Sequence, residues 1–170
     1  MMIDIVFPAD KNVIAALKCG DLIRISGKIF CGRDAVLPKI AKMIEDGSIK
    51  NASFDLEGGL IFHTAVSPAG VGPTSSNKLE IESTMGILSS AGILMHLGKG
   101  QLKKETADIL KRYGAAYAII PPVTATLNAG IMHKKVAAFE ELGMEALYEL
   151  EVKDYPAVVG IVNGESIYDR

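Results

Sequence analysis

Tryptophan is absent from this chain, and only five phenylalanines and five tyrosines are spread over its 170 residues. The interior must therefore be filled by small aliphatic side chains and methionine. Cysteine is equally scarce. Cys19 and Cys31 are too few for a disulfide framework, and their spacing matches no common zinc pattern. They read as small apolar core residues. Two cysteines also cannot supply the three or four thiolates that an iron–sulfur cluster takes. No run of basic residues occurs, and the formal charge is −2. Nucleic acid as the main partner is excluded on that ground, because it needs a concentrated positive face. No apolar stretch approaches the ~20 residues of a membrane span. The first seven residues are short and acidic rather than basic, so they read as a first strand and not as a signal peptide. Cytoplasm is the expected location.

Apolar residues make up 49% and charged residues 22%, an ordinary balance for one globular domain over residues 1–170. The alternation of residues 22–30 predicts a strand. Asp34 is placed to cap a helix with Leu37, Ile40, Met43 and Ile44 on one face, with Pro38 in its first turn and Gly47 as its stop. Residues 60–66 read as a strand. A helix carrying Ile81, Met85 and Leu88 then ends near Gly92, and residues 93–97 form a short buried strand. Another helix, with Leu102, Ile109, Leu110 and Tyr113, stops at Gly114 before a strand over 115–120 that Pro121-Pro122 breaks. Strands are expected at 136–139, 147–152 and 157–162. Asn163-Gly164 then marks a hairpin turn before Ser166-Ile-Tyr168. Helices and strands alternate through the middle, so the class is α/β.

The segment Val71-Gly-Pro-Thr-Ser-Ser-Asn-Lys-Leu-Glu80 combines a Gly-Pro turn, three consecutive hydroxyls and a cation just ahead of a helix. Amide groups at a helix start favour an anion, hydroxyls add donors, and Lys78 adds charge. Arg33 and Lys99 also lie in or near glycine-containing strand-to-helix connections. In α/β folds such connections gather at the carboxyl ends of the strands, where ligands bind. Three cations in three such loops would suit a small dianion; the plainer reading is three solvated surface charges. Thr74 would be a poor base alone, but surrounding cations would stabilise its alkoxide; Thr74, Ser75 or Ser76 could equally cap the helix. The stretch 92–100 is no phosphate-binding loop, since its glycine spacing is one too long and Gly100 stands where a metal-binding hydroxyl belongs. Gly70-Val-Gly72 is not a dinucleotide fingerprint. His63, His96 and His133 each read as a satisfied or half-exposed side chain rather than a ligand or base. The acids around 140–141 and 149–151 read as solvated faces.

An ordered set of short motifs covers almost the whole chain. It comprises Lys18-Cys-Gly-Asp21, Ser26-Gly27, Gly32-Arg33-Asp34-Ala35, Gly72-Pro-Thr-Ser-Ser76, Gly98-Lys99-Gly100, Lys111-Arg-Tyr-Gly-Ala115, Leu142-Gly-Met-Glu-Ala146, Glu151-Val-Lys-Asp-Tyr-Pro156 and Gly164-Glu-Ser-Ile-Tyr168. In this order the set resembles the β subunit, or C-terminal domain, of class I iron–sulfur fumarases and related L-tartrate dehydratases. The resemblance implies a single swivelling β/β/α domain and reversible hydration of fumarate to L-malate, or dehydration of tartrate. It implies a 4Fe-4S cluster, held by three cysteines of a separate α subunit, that leaves one iron open as a Lewis acid. This chain would then work only in a hetero-oligomer. By the same resemblance Arg33 clamps a substrate carboxylate, Thr74 is the candidate base for the C3 proton, and Lys99 stabilises charge. Lys78 and Ser75 complete the substrate-binding set. Lys78 falls where the family usually has arginine; Val36-Leu37 and Pro121-Pro122-Val123 are further departures. The alternatives are another short dicarboxylate as substrate, or a non-catalytic carboxylate-binding subunit.

Overall fold

A computed structural model describes residues 2–74, 78–121 and 124–169. The chain is mixed α/β. Strand β1 (Met2–Phe7) is followed by a short helix α1 (Lys11–Ala15) and then by β2 (Leu22–Cys31), which pairs with β1 in parallel. Helix α2 (Leu37–Asp46) leads to β3 (Leu60–Phe62), and a hairpin of β4 (Thr64–Ser67) and β5 (Gly70–Thr74) follows. Helix α3 (Lys78–Ser90), β6 (Met95–Gly98), α4 (Lys104–Tyr113) and β7 (Ala116–Ile119) complete the alternating middle. Helix α5 (Thr124–Ala129), β8 (Ile131–Ala138), β9 (Leu147–Val162) and β10 (Glu165–Ser166) close the chain.

Strands β2, β3, β6 and β7 run parallel in that order, and β9 is antiparallel to both β7 and β2. The pairings therefore return to their start and ring the main core. Ile23, Ile25, Ile29, Leu60, Phe62, Leu97, Leu150 and Val159 meet inside, all nearly or fully buried. Alternate residues face the helices. Ile61 joins Val36, Leu37 and Ile40 of the α2 region and Leu88 of α3. Strands covered on both faces read as continuous apolar runs, which is why residues 60–62 show no polar alternation.

Several expectations hold. Helix α2 has Pro38 in its first turn and ends at Gly47 in the left-handed region, at φ 82°. Gly114 stops α4 in the same way, at φ 67°. Asn163 and Gly164, both at positive φ, turn β9 into β10, as a two-residue hairpin requires.

Other expectations are corrected. Asp34 does not cap α2; the helix starts after Val36, and no side chain caps it. The strand expected at 60–66 breaks at His63, because residues from Thr64 onward leave the sheet to pair with β5. Gly72-Pro-Thr74 is the end of β5 rather than a loop; proline is tolerated in such an edge strand because it owes no ladder hydrogen bond there. Residues 147–162 form one strand instead of two. It is bent where Asp154 adopts φ 56° and the register against β2 shifts between Ile25 and Gly27. Gly27, at φ 100°, lies against Phe7 so closely that a Cβ would strike the Phe7 carbonyl oxygen. Strand β8 begins five residues earlier than expected, because Met132-His-Lys-Lys135 is an exposed edge without an apolar pattern. Helices α1 and α5 were not anticipated, being too short for a periodic signal.

Candidate active site

The parallel register aligns the carboxyl ends of four strands. Cys31 lies opposite Phe62, Phe62 opposite Leu97, and Leu97 opposite Ala118. The residues that follow these ends share one edge. Arg33 lies just beyond β2, His63 just beyond β3, and Lys99 just beyond β6. The hairpin β4–β5 leaves this edge at Thr64 and returns to it at Thr74, since those two residues are paired. Lys78 is the first residue of α3, four residues past Thr74. The backbone thus brings Arg33, Thr74 and Lys99 to one edge, with Lys78 at the start of the helix that follows Thr74. Thr74 and Lys78 are placed by their backbone alone, and Ser75 lies outside the described residues.

Each connection is held by specific bonds. Thr64 is fully buried, and its hydroxyl donates to the Gly72 carbonyl at 2.8 Å, locking the base of the hairpin next to Thr74. Farther out, the Val71 amide donates to Asn128 Oδ1 of α5 at 2.9 Å. At the hairpin tip, Lys134 Nζ of β8 donates to the Ser67 and Pro68 carbonyls at 3.0 and 3.1 Å. The hairpin carrying Thr74 is therefore locked within itself near its base and tied to α5 and β8 near its tip.

Gly98-Lys99-Gly100 is seated on Tyr117. The Tyr117 ring lies under Gly98, where a Cβ would come within 3.2 Å of it. Its hydroxyl donates to the Gly100 carbonyl at 3.0 Å. Gly98 is thus explained by close approach and Gly100 by its left-handed φ of 81°. Glu82 of α3 supplies the missing cap of α4. Its Oε1 accepts from the Lys103 amide at 2.7 Å and from the Thr106 hydroxyl at 2.6 Å, satisfying an orphan donor at the helix start. The connection bearing Lys99 is therefore fixed to the helix that begins at Lys78.

Arg33 has an internal partner that the sequence reading missed. Its Nη2 donates to Glu145 Oε1 at 2.6 Å, with both side chains about two-thirds buried. Glu145 sits in a 3-10 turn, Glu140–Glu145, just before β9. The motif Leu142-Gly-Met-Glu-Ala146 was the available signal, but nothing in it names the partner.

The histidines were also read one at a time, and the structure joins two of them. His63 Nε2 lies 3.1 Å from His96 Nδ1, and His96 Nε2 lies 3.0 Å from the Ser89 hydroxyl. All three are buried. Burial pushes His63 down to about 3 and His96 well below its ordinary value, with His63 adding to the second effect. Both rings are neutral at pH 7. His63 Nδ1 has neither a partner nor solvent. His133 is on the exposed part of β8, away from this chain of bonds.

The cysteines do not fit a cluster. Cys31 ends β2 with its thiol in the apolar core, where burial raises its pKa. Cys19 is buried and donates to the Glu165 carbonyl at 3.1 Å. Among the described residues no three His, Cys, Asp or Glu side chains gather as metal ligands. No helix among the described residues is long and apolar enough to cross a membrane.

Comparison with known proteins agrees with the motif order. The chain is 32% identical over 175 residues to a Methanocaldococcus jannaschii protein provisionally named L(+)-tartrate dehydratase subunit beta, covering 94% of this chain and 88% of that one. It is 29% identical to the anaerobic class I fumarate hydratase of Escherichia coli over 147 residues, 81% of this chain but 26% of that protein. It is 25% identical to fumarate hydratase 2 of Leishmania major, covering 99% of this chain and 31% of that protein. The chain thus spans about a quarter to a third of these fumarate hydratases, and nearly the whole of the separate beta subunit. The family described as Fumarase C-terminus matches residues 1–170, and the chain belongs to it.

Proposed function

We propose that this chain is the substrate-holding β subunit of a two-subunit hydro-lyase, most simply a fumarate hydratase, working with a cluster-bearing α subunit. The reading is supported by Arg33 and Lys99 on connections at one sheet edge, by Thr74 at the end of β5 paired with Thr64 at that edge, and by Lys78 opening the helix that follows. A short dicarboxylate carries two anionic ends, and cations on separate rigid connections suit it better than a single cluster would. Arg33 offers a fork for one carboxylate; Lys78 and Lys99 act as point charges on the other. In the dehydration direction Thr74, as the alkoxide that the neighbouring cations stabilise, takes the C3 proton while the C2 hydroxyl departs as hydroxide, which the partner's Lewis acid would receive, and Lys99 stabilises the negative charge that develops. In hydration the same proton is returned to C3.

The 4Fe-4S cluster belongs, in this reading, to the α subunit. Two core thiols in this chain cannot hold it. A tartrate dehydratase is the second reading. It is favoured by the near full-length match to a separate beta subunit. Lys78 suits either substrate.

Co-expression with a cluster-bearing partner under anaerobic conditions tests the proposal. The complex should hydrate fumarate or dehydrate L-tartrate, and the isolated chain should do neither. Thr74→Ala should lower turnover by ~10²–10⁴-fold with an unchanged melting temperature. Turnover by the isolated chain, or a near-normal rate for the variant, contradicts it.

A further inference from the structure

Two arginine–carboxylate pairs in this protein differ in geometry. Arg24 grips Asp4 with a fork: Nε lies 2.7 Å from Oδ1 and Nη2 lies 3.1 Å from Oδ2. That pair crosses from β2 to β1 on the exposed surface. Arg33 meets Glu145 differently. A single Nη2–Oε1 contact of 2.6 Å joins them, and the second carboxylate oxygen, Oε2, is buried without a partner. A carboxylate standing in for a substrate would be expected to take the fork, as Asp4 does. Glu145 instead engages one end of the guanidinium, which has five N–H donors in all.

The backbone around Glu145 argues against a part that swings away. Its 3-10 turn is fixed by two left-handed residues, Phe139 at φ 57° and Gly143 at φ 61°. The turn is closed by the Ala146 amide donating to the Gly143 carbonyl at 3.0 Å. Ala146 and Leu147, directly after it, are buried, and Leu147 enters the ladder opposite Ala138. Leu142 and Phe139 pack against the α2 core. Glu145 therefore projects from a braced turn onto a cation at the edge of the sheet.

We propose that Glu145 is a positioning residue: it holds the Arg33 guanidinium at the orientation in which Arg33 receives a substrate carboxylate. A long side chain on a connection has several rotamers, and a short charge-assisted bond from a braced turn narrows the orientations of the guanidinium before the ligand arrives. The assignment rests on the reading of this edge as the dicarboxylate site.

The test uses the assembled complex and steady-state kinetics with fumarate or L-malate. Glu145→Met, which keeps length but removes the acceptor, should raise KM on the order of tenfold and leave kcat within about twofold. Glu145→Gln, which keeps one acceptor oxygen, should fall between it and the native protein. In an Arg33→Met background the Glu145→Met change should have no further effect on KM, which a merely structural role would not produce. A fall in KM for Glu145→Met would make Glu145 a competitor for Arg33 and overturn the assignment. Additive effects in the double variant would overturn it as well. If Arg33→Met alone leaves KM unchanged, the site reading itself fails; if Arg33→Met raises KM but Glu145→Met does not, only the role of Glu145 fails.

Discussion

At their amino ends β3, β6 and β7 are entered through Gly59, Leu94 and Ala115, all buried, whereas at their carboxyl ends β2, β3 and β6 are left through Arg33, His63 and Lys99. The two sets share β3 and β6, so strand formation alone does not demand the difference at those two. At the amino ends of β3, β6 and β7 these entry residues close the core. At the carboxyl ends the connections carry charge, a buried imidazole with an unpartnered nitrogen, and the return of the hairpin to Thr74. The contrast separates residues that hold the fold from residues that the fold holds.

The comparison can be broken at either end. Leu94→Ala removes a buried side chain from the main core and should cost ~2–5 kcal/mol of stability, measured by chemical denaturation. It should leave the KM of the assembled complex unchanged. A pH-dependent effect is expected from the imidazoles nearer the other end. His63 is held down to about 3, and His96 also lies well below its ordinary value. An unfolded histidine titrates near ~6.5. Below that pH the unfolded chain binds protons that the folded chain refuses. Stability is therefore full above ~6.5 and falls as the pH drops below it, by up to ~1.4 kcal/mol per pH unit for His63, with His96 adding a loss in the same direction. Denaturation curves between pH 7 and pH 5, above the range of ordinary carboxylates, should show this loss. A flat profile there would mean that the two rings can charge within the fold.

What the sequence disclosed and what it hid divide along the same line. Apolar periodicity marked α2, α3 and α4 and most strands, since each buries one face or both. Glycines beside Arg33 and Lys99 and the Gly-Pro before Thr74 marked the connections. Hidden were features that depend on distant pairing. His63 and His96 are thirty-three positions apart and meet only because β3 and β6 are neighbours. Glu145 reaches Arg33 across 112 positions. Strand β8 was concealed because an exposed edge strand needs no apolar alternation, and its neighbour β9 supplies the ladder. The strands expected separately at 147–152 and 157–162 are one, and it passes through Pro156 opposite Arg24.

The central claim is that the carboxyl edge binds a short dicarboxylate. Calorimetric titration of the anaerobically assembled complex with L-malate tests it most directly, comparing the native complex with Lys99→Met. The account predicts saturable binding to the native complex and affinity lowered on the order of tenfold or more in the variant. Equal affinity in the two would contradict it.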